Sequence, residues 1–354
     1  MKDLDNLEVI GKLDKSNMRR LLLDFPQQYL RAGDLAVKFD LPCMSGSAKN
    51  IVISGMGGSA IGGDLLRSLF SQICPVPIIV NRNYSVPEFV DEDTLFIAIS
   101  YSGNTEETIA AFGSAMEKRA KVISISGGGR LETLAKDAKT PHFSIPERGI
   151  QPRCAFGYLF IPAVVFLSRL GFIPDQSSEL KETVDLLSRI AAKLAPDKPI
   201  EDNHAKQLAI ALYDKLPVIY ASQDYFDVVA MRWKGQINEN SKAMAFYNVI
   251  PEMNHNEIVG WGIPEDITRR CVVIILRSDE TPAIQKRMNI TESLISAEDA
   301  RIITVEAEGD SLLAKSLYLI YIGDFVSYYL AILNSVDPTP VERIGIFKSL
   351  LGRS

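Results

Sequence analysis

The chain is 354 residues long, 47% hydrophobic and 23% charged, with a formal net charge of -6 at pH 7. That length suits two domains rather than one core, and the acidic balance offers no basic field for nucleic acid. The four cysteines (Cys43, Cys74, Cys154, Cys271) lack CxxC spacing and read as reduced thiols of a cytoplasmic protein. The three histidines (His142, His204, His255) are too scattered for a multi-histidine metal site. The polar start Met1-Lys-Asp-Leu-Asp-Asn6 does not read as a signal peptide. The stretch Leu312–Leu333, interrupted by Lys315, Asp324 and Ser327, falls short of the uninterrupted apolar run a membrane span needs.

Residues 13–39 predict two helical pieces broken at Phe25-Pro26, an N-terminal arm. Strands are predicted at 50–54, 76–80, 94–100 and 121–126. Helices are predicted from about residue 60 and over 105–118, where Ile109, Ala110, Phe112 and Met116 recur at helical spacing. Strands separated by helical patterns mean βαβ units and a parallel sheet. A strongly apolar helix over 154–170 and an amphipathic one over 179–194 follow. The second half repeats the theme, with strands at 217–221, 271–276 and 301–306 and helices at 203–215, 225–240, 281–293 and 311–333. A last helix over 341–351 is opened by Asp337-Pro-Thr-Pro340, prolines that suit a first turn. The expectation is an α/β chain of two domains, 1–172 and 173–354, with the boundary near 173–200 and each a parallel sheet flanked by helices.

Two stretches carry the chemistry of the first half. Ser54-Gly-Met-Gly-Gly-Ser-Ala-Ile-Gly-Gly-Asp64 joins a predicted strand to a predicted helix, a glycine-rich turn where backbone can approach an anion at a helix N-terminus. Gly55 to Ala60 also fits the GxGxxG/A dinucleotide fingerprint, but the second strand ends Val80-Asn81-Arg82-Asn83 without the ribose-binding carboxylate. Arg82 could suit a 2′-phosphate instead. A Walker-type loop is excluded by the missing Gly-Lys-Ser/Thr. The second stretch, Ser100-Tyr-Ser102-Gly103-Asn104-Thr105-Glu-Glu107, crowds three hydroxyls around a glycine at a strand's end, with Asn104 and Glu107 spaced for a capping-box-like start. Two such helix starts in one sheet can converge on one monophosphate at the topological switch point.

Together the two stretches resemble the sugar isomerase (SIS) domain, a phosphosugar-binding α/β module. Two further stretches narrow the resemblance: Gln151-Pro152-Arg153-Cys-Ala-Phe-Gly157-Tyr158, and Asn238-Glu239-Asn240-Ser241-Lys242 followed by Pro251-Glu-Met-Asn254-His255-Asn256-Glu257. The set is similar to the archaeal and bacterial bifunctional phosphoglucose/phosphomannose isomerase family, from about residue 50 to the C-terminus. The resemblance implies two SIS domains and aldose–ketose isomerisation of glucose 6-phosphate, and of mannose 6-phosphate, with fructose 6-phosphate. It implies a homodimer in the cytoplasm, in carbohydrate metabolism, with no cofactor, no metal, no nucleic acid and no membrane.

It also implies roles. Gly57, Gly58, Ser59, Ser100, Ser102 and Thr105 bind the phosphate. Glu239, by pattern either a solvated helix-end carboxylate or a base, is the proton shuttle, with Asn238 and Asn240 orienting sugar hydroxyls. His255 opens the ring and is borrowed from the partner chain. Arg153 steadies the enediolate, its planar fork suiting spread charge. Lys348, otherwise an ordinary surface lysine, matches the family's pocket lysine, and Thr339 the threonine associated with accepting the mannose epimer. His142 and His204 read as structural. A competing class is a non-catalytic phosphosugar-binding regulator, which usually carries a basic helix-turn-helix that this chain has no room for.

Overall fold

The computed structural model describes residues 3–42 and 48–351, so Cys43 lies outside the described residues. Three helices come first: α1 (Leu7–Leu13), α2 (Met18–Leu23) and α3 (Phe25–Lys38). The Asn6 side chain caps α1, and the Asp14 carboxylate accepts the Met18 N–H at 2.6 Å. Pro26 sits in the first turn of α3, so the break expected at Phe25-Pro26 is a helix start.

The first α/β series is β1 (Asn50–Ser54), α4 (Gly58–Phe70), β2 (Ile78–Asn81), β3 (Thr94–Ser100), α5 (Glu106–Glu117), β4 (Lys121–Ser126), α6 (Gly129–Asp137) and β5 (His142–Ser144). It closes with α7 (Phe156–Arg169) and α8 (Ser177–Leu194). The second is α9 (His204–Leu212), β6 (Leu216–Ser222), α10 (Asp227–Ser241), β7 (Phe246–Ile250), α11 (Glu265–Thr268), β8 (Cys271–Arg277), α12 (Pro282–Ser296), β9 (Arg301–Glu306), α13 (Leu312–Leu333) and α14 (Glu342–Leu351). β5, β7, α1, α6 and α11 are additions to the elements the sequence predicts.

By contact the chain forms two compact units, one of Asp24–Leu186 with Gly309–Ala314, the other of the residues up to Leu23, Leu187–Glu308 and those from Lys315 onward. The division near residue 186 falls within the 173–200 stretch in which the sequence places the boundary, and α1 and α2 group with the later residues. They are tied there by buried tyrosines of α13: Tyr328 donates to Asp14 Oδ2 at 3.0 Å and Tyr321 to the Leu22 carbonyl at 2.8 Å.

The first unit holds a parallel five-stranded sheet in the order β2-β1-β3-β4-β5. One face buries Val52, Phe96, Ala98 and Val122 against Ala111, Phe112 and Ala115 of α5 and Leu131 of α6. α4 and α7 pack on β1 to β3. Strand order reverses between β1 and β3, so the crevice beyond their carboxyl ends is the place a doubly wound sheet offers a ligand.

The second unit holds a parallel four-stranded sheet, β7-β6-β8-β9. Val218, Tyr220, Val273 and Ile275 pack against Met288 and Ile295 of α12, while α10 packs on β6 and β7. The two parallel sheets flanked by helices are the α/β architecture the sequence predicts.

One expectation is corrected. α13 is long and apolar enough to cross a membrane by length and composition, and its apolar window is wholly buried in the protein. The Asp324 that interrupts it is paired with Arg232 inside the core.

Candidate active site

The loop after β1 is shaped by close approach. A Cβ on Gly55 would come within 2.9 Å of the Ile99 carbonyl, so only glycine lets β3 lie so near. Gly57 has φ +51° and ψ −123°, a conformation that favours glycine, and faces open space. α4 then begins at Gly58 without a side-chain cap. The loop after β3 likewise leads into α5 with Thr105 as N-cap and no side-chain hydrogen bond to the helix. Two helix N-termini lacking side-chain caps therefore open beside the β1/β3 switch point, and their positive ends suit an anion there.

The two loops are joined directly. The Tyr101 N–H donates to Ser59 Oγ at 3.2 Å. Ser100 is buried; its Oγ lies 2.9 Å from Thr105 Oγ1 and accepts the Gly103 N–H at 3.1 Å, so it shapes the loop from beneath. Ser102 is exposed, its Oγ accepting from the Asn104 N–H at 3.2 Å. The capping-box reading of Asn104 is corrected: its Oδ1 accepts the Arg130 N–H at 3.0 Å instead, which turns the side chain away from α5.

Arg153 belongs to the same unit. It is buried in a 3-10 turn (Pro152–Cys154) whose backbone lies against the glycine loop, since a Cβ on Gly58 would meet Arg153 N at 3.4 Å. Its Nη1 reaches Gln151 Oε1 at 3.4 Å. Two residues absent from the expected site hold this turn. Buried Gln28 of α3 donates from Nε2 to the Cys154 carbonyl at 2.9 Å and accepts the Gly157 N–H at 2.8 Å. The Tyr101 hydroxyl donates to the Glu147 carbonyl at 3.0 Å and accepts the Ile150 N–H at 3.1 Å. Burial pushes its phenol up from the ordinary value, which keeps it a donor.

The 2′-phosphate reading of Arg82 is also corrected. Its guanidinium forms a two-pronged pair with the Asp64 carboxylate of α4, with Nη1 to Oδ1 at 3.1 Å.

Glu239 lies in the second unit, in the last turn of α10. With Lys234, Asn238, Lys242 and, from the first turn of α14, Arg343, it lines a pocket of about 780 Å³. Lys242 adopts the left-handed conformation that ends the helix. Its ammonium donates to the carbonyls of Glu239 at 2.7 Å, Asn240 at 3.2 Å and Pro338 at 3.1 Å. A cation on the last carbonyls satisfies acceptors that a helix end leaves over, and here it also fastens the 336–341 segment that lines the pocket. Lys234, Asn238 and Lys242 recur every four residues, the signal by which the pocket face could have been read from the sequence.

Asn240 departs from its expected role. It is fully buried and donates to Ser327 Oγ at 2.9 Å, one helical step of about 100° away from Glu239. Asn238 does line the pocket, its amide donating to the Ala243 carbonyl at 2.8 Å. His255 stands exposed at the end of a 3-10 turn (Glu252–His255), and Lys348 is exposed on α14. Neither is among the residues lining the Glu239 pocket. Thr339 sits between the pocket-lining Asp337 and Pro340, its N–H donating to Asp337 Oδ1 at 2.9 Å.

The second sheet has its own switch point, between β6 and β8, where a buried carboxylate is bonded. Buried Glu280 accepts from Ser222 Oγ at 3.3 Å and from the Ser278 N–H at 3.0 Å. A carboxylate taking up hydroxyl and backbone donors there leaves this switch point less suited to an anion than the one between β1 and β3.

Comparison with known proteins matches a domain in each half of the chain. The SIS domain matches residues 46–148, and the bacterial phospho-glucose isomerase C-terminal SIS domain matches residues 201–351. A bifunctional phosphoglucose/phosphomannose isomerase of Caldicellulosiruptor bescii is 43% identical over 329 residues, covering 93% of this chain and 97% of that protein. One from Thermoplasma acidophilum is 38% identical over 328 residues, covering 92% and 97%. Among solved structures, a glucose-6-phosphate isomerase like protein from Thermus thermophilus shares the fold, with a TM-score of 0.64 at 19% identity over 96% of this chain and 99% of that one. The matched domains and the extent of identity make this chain a member of the bifunctional phosphoglucose/phosphomannose isomerase family.

Proposed function

We propose that the enzyme interconverts glucose 6-phosphate and mannose 6-phosphate with fructose 6-phosphate, through a cis-enediol(ate). The observation that carries this reading is the bond from Tyr101 N–H to Ser59 Oγ, which draws two hydroxyl-bearing helix starts together at one switch point. Gly57, Gly58, Ser59, Ser100, Ser102 and Thr105 form the phosphate cradle, with Ser100 acting from beneath.

In the first step the anomeric O1–H loses its proton, the ring oxygen gains one and the C1–O5 bond breaks. His255 is the group assigned to it. The Glu239 carboxylate then takes the C2 proton, the electron pair forms C1=C2, and O1 carries the negative charge. The O2–H proton passes to O1, and return of the proton from Glu239 to C1 then forms C2=O2, giving the ketose. Arg153, with Lys348, offsets the enediolate charge, so the reaction runs without metal or cofactor. As the family resemblance implies, His255 is assigned to the pocket of a second copy, in a homodimer; its exposed position outside the Glu239 pocket fits that assignment. The enzyme works in cytoplasmic carbohydrate metabolism and engages neither nucleic acid nor membrane.

The test is a coupled assay on the purified chain. Fructose 6-phosphate should appear from glucose 6-phosphate and from mannose 6-phosphate; turnover of neither would reject the reading.

A further inference from the structure

α10 carries two polar faces, and only one lines the pocket. Arg232, Gln236 and Asn240, spaced four apart, are buried and meet α13 instead. Arg232 Nη2 donates to Asp324 Oδ2 at 2.8 Å, and Gln236 Nε2 donates to Asp324 Oδ1 at 2.7 Å. Further along both helices, Ser241 Oγ donates to the Ser327 carbonyl at 2.7 Å, beside the Asn240–Ser327 bond. Trp233 Nε1 donates to the Leu319 carbonyl at 2.8 Å, and its indole lies against Gly323, where no Cβ would fit.

An apolar seam tolerates small slides and rotations, because dispersion and burial have no direction. A buried ion pair with hydrogen-bonded partners does not, since any shift strands a charge in the core. Buried ion pairs are poor sources of net stability, and their best-attested use is to fix register. Register matters here: slipping α10 by one residue moves it about 1.5 Å and turns it about 100°. Either change carries Glu239 away from where it now lines the pocket. Misplacement of a reacting group by about 1 Å can cost on the order of 10² in rate.

We propose that Asp324, acting through Arg232 and Gln236, is a positioning residue for Glu239, locking α10 in the one rotation that presents that carboxylate. The inference rests on Glu239 being the base. A merely structural role would lower stability and leave kcat alone.

The test is the double variant Arg232→Met/Asp324→Leu, which removes both charges together and strands neither. The expected result is a folded protein whose kcat on glucose 6-phosphate falls at least about tenfold, with KM within about threefold of the parent. A kcat within about twofold of the parent, or a loss confined to KM, overturns the proposal. Should the double variant not fold, Arg232→Lys keeps a charge on each side of the pair and gives up only the planar guanidinium fork. Its kcat should fall about threefold at unchanged KM, and a parent-like kcat again overturns the proposal. Glu239→Gln assayed alongside separates the two failures. Parent-like turnover there removes the base and this inference with it. An inactive Glu239→Gln beside a fully active double variant overturns the lock alone.

Discussion

Tyr101, at the end of β3, gives its backbone N–H to Ser59 Oγ in the first turn of α4, 3.2 Å away. A hydroxyl that accepts from a backbone N–H keeps its own O–H to donate. The bond therefore ties the two loops together and leaves the Ser59 hydroxyl its donor role, which the proposed cradle would use. Ser59→Ala should raise KM for glucose 6-phosphate about tenfold with little change in kcat, because the phosphate is held alike in ground and transition states. Steady-state kinetics checks this; a loss falling on kcat with KM unmoved would remove Ser59 from the cradle.

Gln28 clamps both sides of the Arg153 turn, yet it lies far from it in sequence. Gln28→Leu would leave the Gly157 N–H and the Cys154 carbonyl without this partner in the core. A stability loss of about 1–3 kcal/mol is expected, together with a lower kcat as Arg153 loosens. Urea unfolding and steady-state assays on the same preparation read both effects; parent-like stability would contradict the clamp.

Much of this was legible in the sequence, for identifiable reasons. β1, β3 and β4 fall at the predicted residues because continuous apolar runs bounded by turn residues suit strands of a parallel sheet, and β9 falls there too, although as an edge strand it is fully buried only at Val305. β7 is an edge strand, exposed at Phe246 and Tyr247, so its residues lack the buried pattern that marks its neighbours. β5 has only three residues, too few for any period to show. The two glycine- and hydroxyl-bearing loops beside the β1/β3 switch point were readable because glycine and hydroxyl chemistry is local. Asn240 was not: adjacency to Glu239 suggested a shared role, but successive helix residues point about 100° apart, and Asn240 falls in line with Arg232 and Gln236. Gln28 and Asp324 act only through long-range contacts, and no local pattern announces either.

Buried Glu280 beside the β6/β8 switch point argues against a second anion site. Calorimetric titration with glucose 6-phosphate should therefore saturate at one molecule per chain. Two equivalents per chain would show that the second sheet binds as well.

His142 on β5 bonds Ser124 Oγ at 2.8 Å through Nδ1, with Nε2 3.3 Å from Ser126 Oγ. Burial holds its imidazole below the ordinary histidine value, because the charged form is penalised there. The unfolded chain gains this proton as pH falls through about 6.5, and the folded chain gains it only at lower pH. Stability from this group is therefore present above about pH 6.5 and is lost as pH falls toward the folded value. Urea unfolding of the parent should show that loss, and His142→Gln should flatten it. An unchanged slope in the variant would assign the pH dependence to other groups.

The central claim is that Glu239 carries the proton between C2 and C1. The most direct measurement is turnover of Glu239→Gln on glucose 6-phosphate and mannose 6-phosphate beside the parent. The predicted result is a fall in kcat of about 10²–10⁴ on both substrates, the usual contribution of general acid–base catalysis, with KM largely kept. A kcat within about twofold of the parent on either substrate would contradict the account.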